Sequence, residues 1–179
     1  MKPDLFLLGS MGSGKTTIGR ELAERSGRSF VDLDAYIETR AGMPISALFA
    51  GGEEVFRRRE RECFAELVEG EHPGTPGPPR VVALGGGAFA QAEIRSAIRR
   101  HGLSIYLVVP IPTLTARLED PELRAHRPLL QVENWRGRLD SLLLEREALF
   151  AHARYAVDAD GDPATVVARI SKLLGEEIE

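Results

Sequence analysis

Several groups of residues in this chain have types and spacings that suit chemistry. Gly9-Ser10-Met11-Gly12-Ser13-Gly14-Lys15-Thr16 fits the P-loop pattern G-x-x-x-x-G-K-[ST] in full. Glycines there let the backbone turn tightly and approach a polyphosphate without side-chain obstruction. The N–H groups of Gly12, Ser13, Gly14, Lys15, Thr16 and Thr17, at the opening of a helix, can then face the anion together. Lys15 can reach the outer phosphates of ATP, and the Thr16 hydroxyl can ligate Mg²⁺. Asp32 and Asp34 flank Leu33 and, in extended chain, point to one side. One of them can help hold Mg²⁺ while the other accepts a hydroxyl proton. The plainer reading of either is an N-cap for the next helix. Arg57 and Glu60 lie three apart, so on a helix the carboxylate can orient the guanidinium toward an acid. Gly85, Gly86 and Gly87 follow an apolar run and expose backbone N–H groups where a substrate can pack closely. Arg127 follows a polar, proline-bounded stretch suited to closing over ATP.

The elements that must position these groups alternate. Strands are expected at 4–8, 29–32, 81–84, 104–109 and 155–157. Helices are expected at 17–26, 34–40, 53–69, 92–100, 112–118, 134–152 and 163–174. Ser46 is expected to cap a short turn carrying Leu48 and Phe49, residues 72–79 to form a proline-rich loop, and 119–128 a mobile surface loop. This order implies an α/β fold with a mainly parallel sheet between helices, in a single domain spanning 1–179. Arg58, Arg59 and Arg61 read as a solvated helix face, and so, on composition alone, does Arg146.

Composition narrows the function. The 179 residues carry a formal net charge of −4, which argues against a nucleic-acid partner. Cys63 is the single cysteine, so an internal disulfide is impossible, and its apolar neighbours suggest a buried thiol. The N-terminal apolar run is too short for a signal peptide, and no stretch is long enough to span a bilayer. Cytoplasm is the expected compartment, with no membrane partner, and a monomer the expected state.

In series, the P-loop, Asp32-Leu33-Asp34, Phe56-Arg57-x-x-Glu60, Gly85-Gly86-Gly87, Arg127-Pro128-Leu129-Leu130 and Arg146-x-x-Leu149-Phe150 resemble shikimate kinase. The resemblance implies a three-layer α/β/α P-loop kinase fold, similar to the nucleoside monophosphate kinases. That fold has a five-stranded parallel sheet, a substrate-binding region at about 33–61 and a lid at about 119–130. It implies phosphorylation of shikimate by ATP with Mg²⁺. Asp34, Arg57, Gly85, Gly86, Gly87 and Arg146 would bind shikimate, the arginines at its carboxylate, with Asp34 as base. Lys15 and Arg127 would act on the phosphates, Thr16 and Asp32 at the metal, and Arg117 and Pro163 at the adenine. The chain departs from some relatives in having Ala83, without a hydroxyl, two positions before the triplet, and in a longer stretch from Arg117 to Arg127. Competing readings are another small-metabolite kinase, such as a gluconate kinase, and a non-catalytic nucleotide-binding module.

Overall fold

The computed structural model describes residues 2–70, 78–125 and 127–175. Most of the proline-rich 72–79 loop expected from sequence lies outside the described residues.

Five parallel strands form one sheet: β1 (Asp4–Leu8), β2 (Ser29–Asp32), β3 (Arg80–Ala83), β4 (Gly102–Val108) and β5 (Tyr155–Asp158), in the order β2-β3-β1-β4-β5. β1 is buried at every residue, as a central parallel strand covered on both faces must be. Its alternation sorts the core. Leu5 and Leu7 pack with Val81, Ile105 and Leu107 on one face, whereas Phe6 and Leu8 pack with Val82 and Phe64 on the other. Asp4, at the start of β1, is tied to Arg80 of β3 at 2.7 Å, which fixes the ends of these two strands together.

The described helices are α1 (Lys15–Ser26), α2 (Leu33–Ala41), α3 (Ile45–Ala50), α4 (Glu53–Glu69), α5 (Ala92–His101), α6 (Ile111–Arg117), α7 (Pro121–Ala125), α8 (Trp135–Phe150) and α9 (Pro163–Leu174). α1 ends on Gly27, which adopts the left-handed conformation of a helix stop. α4 sets Phe56, Cys63, Phe64 and Leu67 inward as one stripe, so the lone thiol is buried as expected.

Two expectations are corrected. Ser46 caps nothing: α3 starts one residue earlier, behind Pro44, and Ser46 lies inside it. Residues 119–128 are not simply a loop, because Pro121 opens the short helix α7 and a 3₁₀ turn follows at Pro128–Leu130. Arg124 of α7 stacks on the Trp135 ring at 4.5 Å, and Arg136 lies 4.7 Å from the same ring. This cation–π contact docks the segment on the start of α8.

Candidate active site

Strand register brings the chemistry to one edge. Leu7 of β1 and Asp32 of β2 are both level with Ala83 of β3, so the P-loop, the acid pair and the glycine triplet leave the carboxyl ends of three adjacent strands. Ligands of open α/β sheets bind at that edge. A cleft of about 670 Å³ opens there. Among the residues lining it are Gly12, Gly14, Lys15, Thr16, Thr17, Asp32, Asp34, Arg57, Gly85, Gly86, Gly87, Arg117, Arg127 and Arg146. Ser13, within the P-loop, is buried, and Pro163 opens α9 outside the lining residues.

The P-loop turns through Gly12 and Gly14 at φ of 82° and 86°, a region that residues with a Cβ rarely adopt. Lys15 Nζ donates to the carbonyls of Gly9 and Ser10, each at 2.8 Å, and so rigidifies the turn. Burial lowers its pKa to about 8, with Arg127 and Arg146 acting in the same sense and Asp34 opposing. Arg117 Nη1 donates to the Gly12 carbonyl at 3.0 Å, which places it against the loop.

Asp32 bears out its reading as a helix cap and also meets Thr16. Its Oδ1 caps α2 by accepting from the N–H groups of Asp34 and Ala35. Its Oδ2 accepts from the Thr16 hydroxyl at 2.8 Å. The cap fixes the carboxylate, and the fixed carboxylate meets Thr16. Asp34 lies in the first turn of α2 with its side chain in the cleft. Burial, reinforced by Asp32, pushes its carboxyl up to about 6 against the pull of Lys15.

Arg57 donates to Glu60 Oε2 at 2.7 Å and to the more exposed Glu53 at 3.1 Å. Its guanidinium lies over the Phe56 ring at 5.1 Å, and Phe56 stacks on Phe49. Burial draws the Arg57 pKa down, but Glu60 and Glu53 outweigh it and keep the group charged. Glu60 is wholly buried, and that burial raises its carboxyl to about 7 despite Arg57. Arg146 is only 8% exposed, contrary to its reading as a surface arginine, and no acid among the described residues pairs with it. Burial lowers its pKa, and the nearby Arg57 charge adds to the effect. Arg127 Nη1 is held by the Leu123 carbonyl at 2.6 Å, while its buried Nε has no partner.

The glycine triplet does more than expose N–H groups. A Cβ on Gly85 would stand 2.6 Å from Asp34 Oδ1 and 2.9 Å from Glu60 Oε1. One on Gly86 would meet Arg146 Nη1 at 3.1 Å, and one on Gly87 would run into the Arg57 guanidinium, with Cζ at 2.7 Å. Three absent side chains thus make room for four of the site's charged groups: Asp34, Glu60, Arg146 and Arg57.

Sequence reading missed Met11, Glu38, Ile45 and Phe49, which also line the cleft. Met11 sits in a variable position of the P-loop pattern, and Phe49 reads as ordinary core. Arg61 corrects an expectation: it is only partly exposed and donates to Gln91 Oε1 at 2.7 Å. Arg58 is exposed as expected, and Arg59 is ion-paired to Glu62 at 3.2 Å.

A parallel α/β sheet with a P-loop on its first strand, facing an acid pair and inward arginines, defines a P-loop phosphotransferase. The sequence matches the family profile described as "Shikimate kinase" over residues 11–174. The shikimate kinase of Psychrobacter cryohalolentis is 42% identical over 160 residues, covering 89% of this chain and 81% of that one. The structure of Acinetobacter baumannii shikimate kinase in complex with shikimate superposes with a TM-score of 0.87 at 36% identity, covering 97% and 93% of the two chains. A Sinorhizobium meliloti gluconokinase shares the fold alone, with a TM-score of 0.60 at 19% identity over 97% and 95% of the chains. The chain belongs to the shikimate kinase family, and is thus an ATP-dependent kinase.

Proposed function

We propose that this chain transfers the γ-phosphoryl group of ATP to the 3-hydroxyl of shikimate, giving shikimate 3-phosphate and ADP. The observation that carries the reading is the pair of guanidinium groups, Arg57 and Arg146, seated against Gly87 and Gly86 beside the Asp34 carboxylate. Two cations that close together in a partly buried site suit a carboxylate bound by both. An acid held there would present a hydroxyl to Asp34. Asp34 takes the hydroxyl proton as the oxygen bonds to the γ-phosphorus, and the bond to the bridging oxygen breaks to release ADP. Lys15 and Arg127 stabilise the charge on the phosphate oxygens. Gly12, Ser13, Gly14, Thr16 and Thr17 hold the polyphosphate, with Arg117 and Pro163 at the base.

Thr16 and Asp32 are hard oxygen donors already in contact, which fits Mg²⁺. That ion takes few protein ligands and fills its sphere with phosphates and water. When bound it supplies charge neutralisation at the phosphates. Residues 33–61 serve as the substrate-binding region and 119–130 as the lid of a single-domain enzyme. We further propose a cytoplasmic monomer that takes no nucleic acid; among the described residues no helix is long and apolar enough to cross a membrane.

Arg146→Ala tests the reading. Loss of a charge-assisted contact is expected to raise the KM for shikimate by about 10- to 100-fold, and to leave the KM for MgATP within about twofold. A rise confined to MgATP would remove Arg146 from the carboxylate site.

A further inference from the structure

Gln91 occupies the N-cap of α5, yet its side chain makes no capping hydrogen bond. The carboxamide turns instead toward α4. Its Oε1 accepts from Arg61 at 2.7 Å, and its Nε2 donates to Glu60 Oε2 at 2.7 Å. A guanidinium can only donate, so the amide oxygen faces Arg61 and the amide nitrogen is left to donate to Glu60. Arg61 is itself anchored by Glu54 at 3.2 Å.

Glu60 Oε2 therefore receives two donors, Gln91 and Arg57, whereas Glu60 Oε1 has no hydrogen-bond partner. The two bonds on Oε2 are what hold the carboxylate's angle. Glu60 is 0% exposed, so water does not replace a lost donor there. Glu53, the other acid on Arg57, has 56% of its side chain exposed and makes a weaker guide.

We propose that Gln91 is a positioning residue of the acid-substrate site, fixing Glu60 and, through Glu60, the direction in which Arg57 presents its guanidinium to the substrate carboxylate. This rests on Arg57 being a carboxylate ligand. The side chain that leaves its helix uncapped thereby serves recognition of a planar anion, some distance from any contact with it.

The test compares Gln91→Met, which keeps the length and removes both hydrogen bonds, with Gln91→Glu, which keeps the shape and turns the donor into an acceptor facing Glu60. Each is assayed with shikimate and MgATP, alone and in an Arg57→Ala background, with melting temperatures recorded. Gln91→Met is expected to raise the shikimate KM about tenfold with the MgATP KM within about twofold, and Gln91→Glu to raise it further. In the Arg57→Ala background, Gln91→Met is expected to add less than about twofold, because the residue it acts through is gone. An unchanged shikimate KM in both variants overturns the inference. So does a full tenfold loss on top of Arg57→Ala, or a parallel rise in both KM values with a lowered melting temperature. Wild-type enzyme that turns over no shikimate would fail the reading of Arg57 itself, and the inference with it; shikimate turnover untouched by Gln91 changes fails the inference alone.

Discussion

As the proposed base, Asp34 needs to be charged to accept a proton, and its surroundings oppose that charge. Burial and the neighbouring Asp32 outweigh Lys15 and set its carboxyl at about 6 in the free enzyme. The kcat/KM for shikimate is therefore predicted to fall as pH drops below about 6, a limb that a pH–rate profile reads directly. Asp34→Asn is predicted to lose that limb, along with turnover by roughly 100-fold or more, while retaining ATP binding. The same shift bears on stability. A carboxyl whose folded pKa lies above its unfolded value stabilises the fold fully below the unfolded pKa, and that contribution is lost as pH rises through about 6. Asp34→Asn is thus predicted to melt higher than wild type at pH 8, by about 1 kcal/mol after allowing for solvent in the open cleft, and to show no such gain at pH 4. Asp34 was legible in the sequence because it sits two residues from its partner acid. Arg146 was legible only through the family resemblance: Glu145 and Glu147 give its neighbourhood a surface composition, and it is the packing of α8 that turns it inward.

At the scale of elements, the turn after β3 works through what it lacks. Its three glycines have ordinary backbone angles, with none at positive φ, so alanine is tolerated by the backbone. What alanine meets is the far end of a side chain from α2, α4 or α8. Gly87→Ala is therefore predicted to leave the melting temperature within a few degrees and to raise the shikimate KM at least tenfold, since the displaced group is the Arg57 guanidinium. A large loss of stability with an unchanged KM would contradict this view of the triplet. From sequence, three glycines after a strand announce a close approach. They do not say by what, because the approaching side chains come from positions 34, 57, 60 and 146. The proposed lid was legible as a polar, proline-bounded stretch, but α7 has five residues and no periodic apolar stripe, so a helix there left no signal. The anchor that docks it, Arg124 on Trp135, is a tertiary contact.

For the whole molecule, strand–helix alternation was enough to fix a parallel α/β sheet, because parallel strands require crossovers and these are helical. Most boundaries fell within two residues, since Gly27 and Gly42 stop helices and β1 carries a continuous apolar run at Leu5–Leu8. The strand order β2-β3-β1-β4-β5 was not in the alternation, yet it gathers motifs from positions 9 to 87 at one edge. The fold is shared with a gluconokinase at 19% identity, so it does not select the acceptor. In the proposed reading, the acceptor is selected by Arg57, Arg146 and the glycines that admit them. The measurement that tests this most directly is ADP release from MgATP with shikimate, gluconate, quinate or no acceptor, followed in a coupled assay. The account predicts turnover that depends on shikimate and falls to background with gluconate or no acceptor. Turnover with gluconate and none with shikimate would contradict it: the P-loop chemistry would stand, and the assignment of Arg57, Gly86 and Arg146 would be wrong.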